Sequence, residues 1–179
     1  MPYLISLAFL FLLNCKMKIN NLYKYIILLL LFISCSEGLK VEIIEDSYIR
    51  GVIYYKGGQS NWPDSVVAVR IGAFKTDDPS SFQNELLNGN VYVDFNSLPL
   101  FVDSTSFELL ISDPPVELKY IAVALQSNND IFNQKIIGIY SIDGDKTKPS
   151  SIYIEKGKSI NNLTIEVDFN DLPPQPFDN

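Results

Sequence analysis

The chain has 179 residues, with 21 acidic and 14 basic side chains, two cysteines and no histidine. Every acidic residue and all but three of the basic ones lie beyond residue 34, so that region carries a net charge of about −10. Such a surface repels phosphate backbones, which argues against nucleic-acid binding. Past Cys35 there is neither cysteine nor histidine, which removes disulfides, zinc sites, thiol chemistry and the commonest general base.

Lys18 and Lys24 precede an apolar run over 26–33, and Ser34-Cys35 closes that run before a polar stretch. A basic start, a short apolar run and a small residue are the parts of a secretory signal. The run is too short to span a bilayer, which takes about 20 helical residues. Ser34-Cys35 resembles the lipobox of bacterial lipoproteins. The resemblance implies that Cys35 is acylated and becomes the mature N-terminus. It also implies several acyl chains and durable anchoring, since each buried methylene contributes about 0.8 kcal/mol. Ser36, standing where an aspartate often marks inner-membrane retention, points to the outer membrane. Residues 1–16 form a second apolar run ending in Asn14-Cys15-Lys16, and Met17-Lys18 reads as the true start of the signal. Cys15 follows an asparagine rather than a small residue and is a poor lipidation candidate.

Residues 35–46 read as a tether, 47–170 as one domain and 171–179 as a Pro-rich tail. The domain is a series of short β-rich runs separated by turn residues. Tyr48 to Lys56 places Ile49, Gly51, Ile53 and Tyr55 on one face. Gly57 to Asp64 is a loop by its glycine and proline content. Val66 to Lys75 alternates, with Val67, Val69, Ile71 and Ala73 inward. Ser81 to Leu87 has room for one helical turn. Val91 to Phe95 is a short strand, and Pro99 argues against a central position for the segment after it.

Ser106 to Ile111 is a strand ended by Asp113-Pro114-Pro115. The runs 119–126 and 135–140 are apolar on both faces and predict burial on both. Ser151 to Glu155 is short. In the last strand Leu163, Ile165, Val167 and Phe169 point inward. The phrases Val93-Asp-Phe-Asn-Ser-Leu-Pro99 and Val167-Asp-Phe-Asn-Asp-Leu-Pro173 nearly repeat, and reuse of one turn chemistry at two strand exits explains them. No helical period persists, so the pattern predicts an all-β fold: a single antiparallel β-sandwich of seven or eight strands, transthyretin-like or immunoglobulin-like.

Several of these runs resemble the transthyretin-like sandwich of carboxypeptidase regulatory domains. They are Ile49-Arg-Gly51-Val52-Ile53, Val67 to Phe74, Phe107-Glu-Leu109 with Pro114-Pro115 and Tyr120 to Val123, and Ile152-Tyr-Ile154 through Gly157 to Ile165. The insertion over 76–105 and the stretch Val116 to Lys119 depart from that family's compact form. The resemblance implies a fold and no activity.

The candidate chemistry is sparse. Trp62, the single tryptophan, lies close in sequence to Tyr54 and Tyr55, and exposed aromatics on a sandwich stack on sugar rings or anchor a partner. The alternative is that Trp62 folds down to cap the core. Asp143 and Asp145 offer two oxygens to calcium, which needs 6–8, so a plain turn is the simpler assignment. Asp94, Asp103, Asp168 and Asp171 share a site only if the two similar strand exits lie together. The expectation is a membrane-anchored, non-catalytic module without a cofactor. Its first expected partner is another envelope protein, with a carbohydrate ligand as the alternative and a carboxylate-based hydrolase last.

Overall fold

The computed structural model describes residues 46–78, 81–131 and 133–175. Cys35, with the whole predicted leader and most of the tether, lies outside them. The chain divides after Ile43, and all the described residues belong to the second unit. Among the described residues the fold is all-β apart from one short helix and one 3-10 turn. No described helix is long and apolar enough to cross a membrane.

Among the described residues nine strands form: β1 (Ser47–Tyr55), β2 (Ala68–Phe74), β3 (Val91–Val93), β4 (Ser104–Ile111), β5 (Val116–Leu118), β6 (Tyr120–Gln126), β7 (Gln134–Ile139), β8 (Ile152–Ile154) and β9 (Ile160–Val167). Helix α1 covers Phe82–Leu87. The strands make a three-stranded sheet ordered β4-β1-β9, a four-stranded sheet ordered β3-β2-β6-β7, and the pair β5-β8.

Two expectations change here. The strand count rises because Val116–Leu118, read from the sequence as an intervening stretch before the 119–126 run, forms a strand of its own paired with β8. The sheets are also not wholly antiparallel, since β1 and β9 run parallel. Their register slips between Ile49 and Gly51, which face Ile160 and Leu163. One extra β9 residue is accommodated there, and Asn162 takes a left-handed φ of 65°, as a bulge permits.

The larger cluster of buried residues draws on both larger sheets and on the β5–β8 pair. Ile49, Ile53, Phe107, Leu109, Leu163 and Ile165 come from the first, and Val69, Ile71, Ile121, Val123 and Ile137 from the second. The alternation read in β1 and β9 puts the expected residues inward. Val67, expected inward, is exposed, because it precedes the start of β2 and Ala68 is buried in its stead. Between β6 and β7 a second bulge falls at Val123/Ala124, leaving Gly138 against β9. A Cβ on Gly138 would sit 2.9 Å from Val167 Cγ2 and 3.1 Å from Glu166 O. This glycine is needed for close strand approach.

The free edge of β7 is capped at one rung by a side chain. Gln175 Oε1 accepts from Ile136 N at 2.9 Å, and Gln175 Nε2 donates to Ile136 O at 2.9 Å.

Two tyrosines are buried deeply enough to alter the pH response. Burial raises the Tyr55 hydroxyl above its usual range and pushes Tyr120 up to about 12. An unfolded tyrosine ionises near pH ~10. The folded state holds the protons longer, so this contribution is complete below about pH 10 and is lost as pH rises toward 12. Thermal melts should therefore keep a level midpoint up to about pH 10 and fall above it. Tyr120→Phe should shallow that fall, and an unchanged slope would contradict the assignment.

Tyr55 carries a second consequence. Its hydroxyl is buried with no hydrogen-bond partner among the described residues. Removing an unsatisfied buried polar group is favourable, so Tyr55→Phe should raise stability by about 1 kcal/mol. Denaturant titration reads this directly, and a loss of stability would show that the hydroxyl is satisfied.

Candidate functional site: an apolar cleft on the outer face of the four-stranded sheet

The two sheets turn very different faces outward. On the three-stranded sheet, Arg50 pairs with Glu108 and lies 4.5 Å from the centroid of the Tyr48 ring. That face also presents Ser106, Thr164 and Glu166 to solvent, along with Tyr54 and Leu110. The outer face of the four-stranded sheet is apolar. At one end it is covered: Phe82 of α1 packs on Phe74 with ring centroids 4.3 Å apart and on Tyr120 at 4.8 Å. This cover satisfies the two-sided burial that the β6 and β7 sequences demand.

Beyond the helix the cover stops, and a cavity of about 370 Å³ opens. That is the size range of small-ligand pockets. It exists because the floor is made of small residues. Gly72 of β2 faces Ala122 of β6, and Arg70 faces Ala124. Leu86, Leu87 and Phe95 contribute to its walls, together with Ile131 and Ile136. Leu87, Phe95 and Ile131 are 68%, 74% and 60% exposed, a cluster of large apolar side chains left open to water. Scattered exposed hydrophobics are ordinary, but several around one concavity mark a binding surface.

The polar groups of the cleft gather at the end away from the helix. Arg70 donates from Nε to Phe95 O at 3.0 Å and from Nη1 to Gln126 Oε1 at 2.7 Å. Gln126 faces Gln134 across the sheet. Gln134 Nε2 donates to Ile131 O at 2.9 Å, while its Oε1 is buried and unpartnered.

The residues singled out from the sequence lie elsewhere. Trp62 is buried at 8% exposure, its ring 4.5 Å from Tyr55, 5.2 Å from Phe169 and 5.4 Å from Phe101. Its Nε1 donates to Val102 O at 3.0 Å. Tyr54 is 51% exposed and points to the opposite side of β1 from Tyr55. Strand alternation separates them, so Trp62, Tyr54 and Tyr55 form no common platform.

Asp143 and Asp145 are engaged in their own turn. Asp143 Oδ1 accepts from Ser141 Oγ at 2.7 Å. Asp145 accepts from Thr147 N and Oγ1 at 2.9 and 2.6 Å and pairs with Lys148 at 2.9 Å. The Thr147 and Lys148 contacts hold the Asp145 carboxyl below its usual range. Among the described residues, no group of three potential metal ligands forms.

The three aspartates of the repeated phrases, and Asp103 beyond the first, also go separate ways. Asp168 pairs with Lys56 at 2.9 Å and Asp171 with Lys146 at 3.0 Å. Asp94 caps its own turn, and Asp103 Oδ1 accepts from Gln59 N. The Lys56 ammonium, first, and the Asn170 N–H hold Asp168 below the usual carboxylate range. Asp113 is likewise lowered, by the Tyr92 hydroxyl and then Lys75. These are stabilised anions, the reverse of the raised carboxylic acid that general-acid cleavage uses.

The cleft was not singled out from the sequence. Its traces there are Gly72, Ala122 and Ala124 at outward positions of otherwise bulky strands, and Phe95 after a turn. Comparison of the chain with protein-family models, with curated proteins and with solved structures finds no match.

Proposed function

We propose that this chain is a non-catalytic binding or assembly module of a bacterial envelope, anchored through acylation of Cys35, with the apolar cleft as its contact surface. In this reading the two larger sheets are the layers of one β-sandwich, transthyretin-like or immunoglobulin-like in plan, with β5-β8 as an appendage. The observation that carries the reading is the contrast between the two outer faces. One mixes the Arg50–Glu108 pair with exposed Ser106, Thr164 and Glu166, while the other leaves Leu87, Phe95 and Ile131 exposed around an apolar cavity. Sequence features support the anchor: the basic start, the apolar run and Ser34-Cys35.

Two measurements test it. Cys35→Ala should move the protein out of the membrane fraction and abolish the acyl mass increment. Retention in the membrane would refute the anchor. A photo-reactive phenylalanine analogue at position 95, irradiated in the native envelope, should give one discrete adduct, whereas the same probe at position 54 should give none. Equal labelling from both positions would refute the cleft as the contact surface.

A further inference from the structure

Resting on the reading of the cleft as a binding surface, we infer that its occupant is a single-chain amphiphile with an acidic head, a long-chain carboxylate. Three independent observations support this. The first is Gly72. A Cβ there would meet its nearest neighbour, Tyr92 O, at 3.5 Å and Phe74 and Val93 side-chain atoms at 3.9 Å, all ordinary contacts. Gly51 and Gly138, by contrast, face approaches of 2.2 and 2.9 Å. Packing therefore explains those two glycines and leaves Gly72 without a steric reason. Glycine weakens a strand interior, and one use of it is to leave room for a ligand. At Gly72, next to Ala122, it keeps the floor low.

The second is Arg70. Its two hydrogen bonds go to neutral acceptors, Phe95 O and Gln126 Oε1. The other arginine, Arg50, is paired with Glu108. In a strongly acidic domain, a guanidinium without a carboxylate partner beside an apolar cleft is the complement of an anion. Its planar fork suits a carboxylate. The third is the order of groups along the sheet. Register runs from Phe74 opposite Tyr120, through Gly72 opposite Ala122, to Arg70 opposite Ala124, and ends with Gln126 opposite Gln134. The closed end is aromatic, the middle is a small-residue floor, and the open end holds the Arg70 guanidinium. Tail and head thus have separate places about one or two strand rungs apart. One cavity of about 370 Å³ suits one chain rather than a two-chain phospholipid.

The test uses the full lipidated chain in its membrane. Three diazirine-bearing probes of equal chain length are compared: a fatty acid, the corresponding fatty alcohol and a diacyl phosphatidylcholine. Labelled peptides are located by mass spectrometry. The fatty acid should label β2 and β6 about tenfold more than the alcohol, the advantage of a charge-assisted pair. Arg70→Gln should erase that preference while the alcohol signal persists. Gly72→Leu should remove labelling by both, in protein whose thermal midpoint matches the unaltered chain. Should Gly72→Leu fail to fold, Phe95→Ala takes its place and should weaken both signals. Equal labelling by acid and alcohol would overturn the acidic-head inference but leave an apolar-binding cleft standing. Preferential labelling by the phospholipid would overturn the single-chain inference. Labelling that ignores the cleft altogether would overturn this inference, while the position-95 adduct separately decides the broader reading.

Discussion

Gly51→Val should cost the domain about 3 kcal/mol or more of stability, the upper range for forcing bulk into packed structure. Even the first added carbon meets backbone. A Cβ at Gly51 would lie 2.2 Å from Leu163 O, 2.8 Å from Leu163 C and 2.9 Å from Leu163 Cβ. No side-chain rotation relieves a clash with a carbonyl, so β1 and β9 must separate. β1 is the centre of its sheet, paired with β4 on one side and β9 on the other, so the displacement strains both ladders. Gly72 supplies the control. The same added carbon there meets only ordinary contacts, so Gly72→Ala should leave stability within about 0.5 kcal/mol of the starting chain. Paired denaturant titrations of Gly51→Ala and Gly72→Ala would read the contrast. Equal midpoints would refute the distinction drawn between the two glycines.

Trp62→Ala should cost about 3–5 kcal/mol, the range for truncating a large buried aromatic. The indole fills the space among Tyr55, Phe101 and Phe169. Its loss leaves a cavity and also strips Val102 O of its donor. Trp62→Phe separates these effects. It removes the N–H and part of the indole but keeps one aromatic ring in place, so it should cost less, by a margin that reports the remaining packing. If both variants cost the same, the hydrogen bond rather than the packing dominates. If neither costs more than about 1 kcal/mol, the loop bearing Trp62 is not part of the cooperative core.

Much of the strand pattern was legible in the sequence. The alternations of β1 and β9 gave the inward residues directly. The unbroken apolar runs of β6 and β7 announced burial on two sides, which α1 and the core together provide. The repeated phrase was legible too. Asn96 N donates to Asp94 Oδ1 at 2.9 Å and Asn170 N to Asp168 Oδ1 at 3.0 Å, so both exits use one aspartate turn, as side chains of this kind favour. Within that turn the copies diverge, with Phe169 packed on Trp62 and Phe95 left exposed.

Pairing direction was not legible. Parallel β1–β9 contact depends on residues about 110 positions apart, and no local pattern encodes it. The bulge at Asn162 was hidden for the same reason, because an asparagine in a strand looks like an outward polar residue. The cleft escaped notice because it is made of what is missing. Gly72, Ala122 and Ala124 read as weak strand residues until register sets them side by side.

The bracket that Gln175 places on Ile136 bears on how such molecules coexist. A bare strand margin invites a neighbour's backbone to extend the ladder, the route to fibrous aggregates. A carboxamide matched to one amide and one carbonyl occupies that position from within the same chain, and Pro173 and Pro174 beside it have no N–H to offer an approaching strand. At that rung the margin is closed to a neighbouring chain.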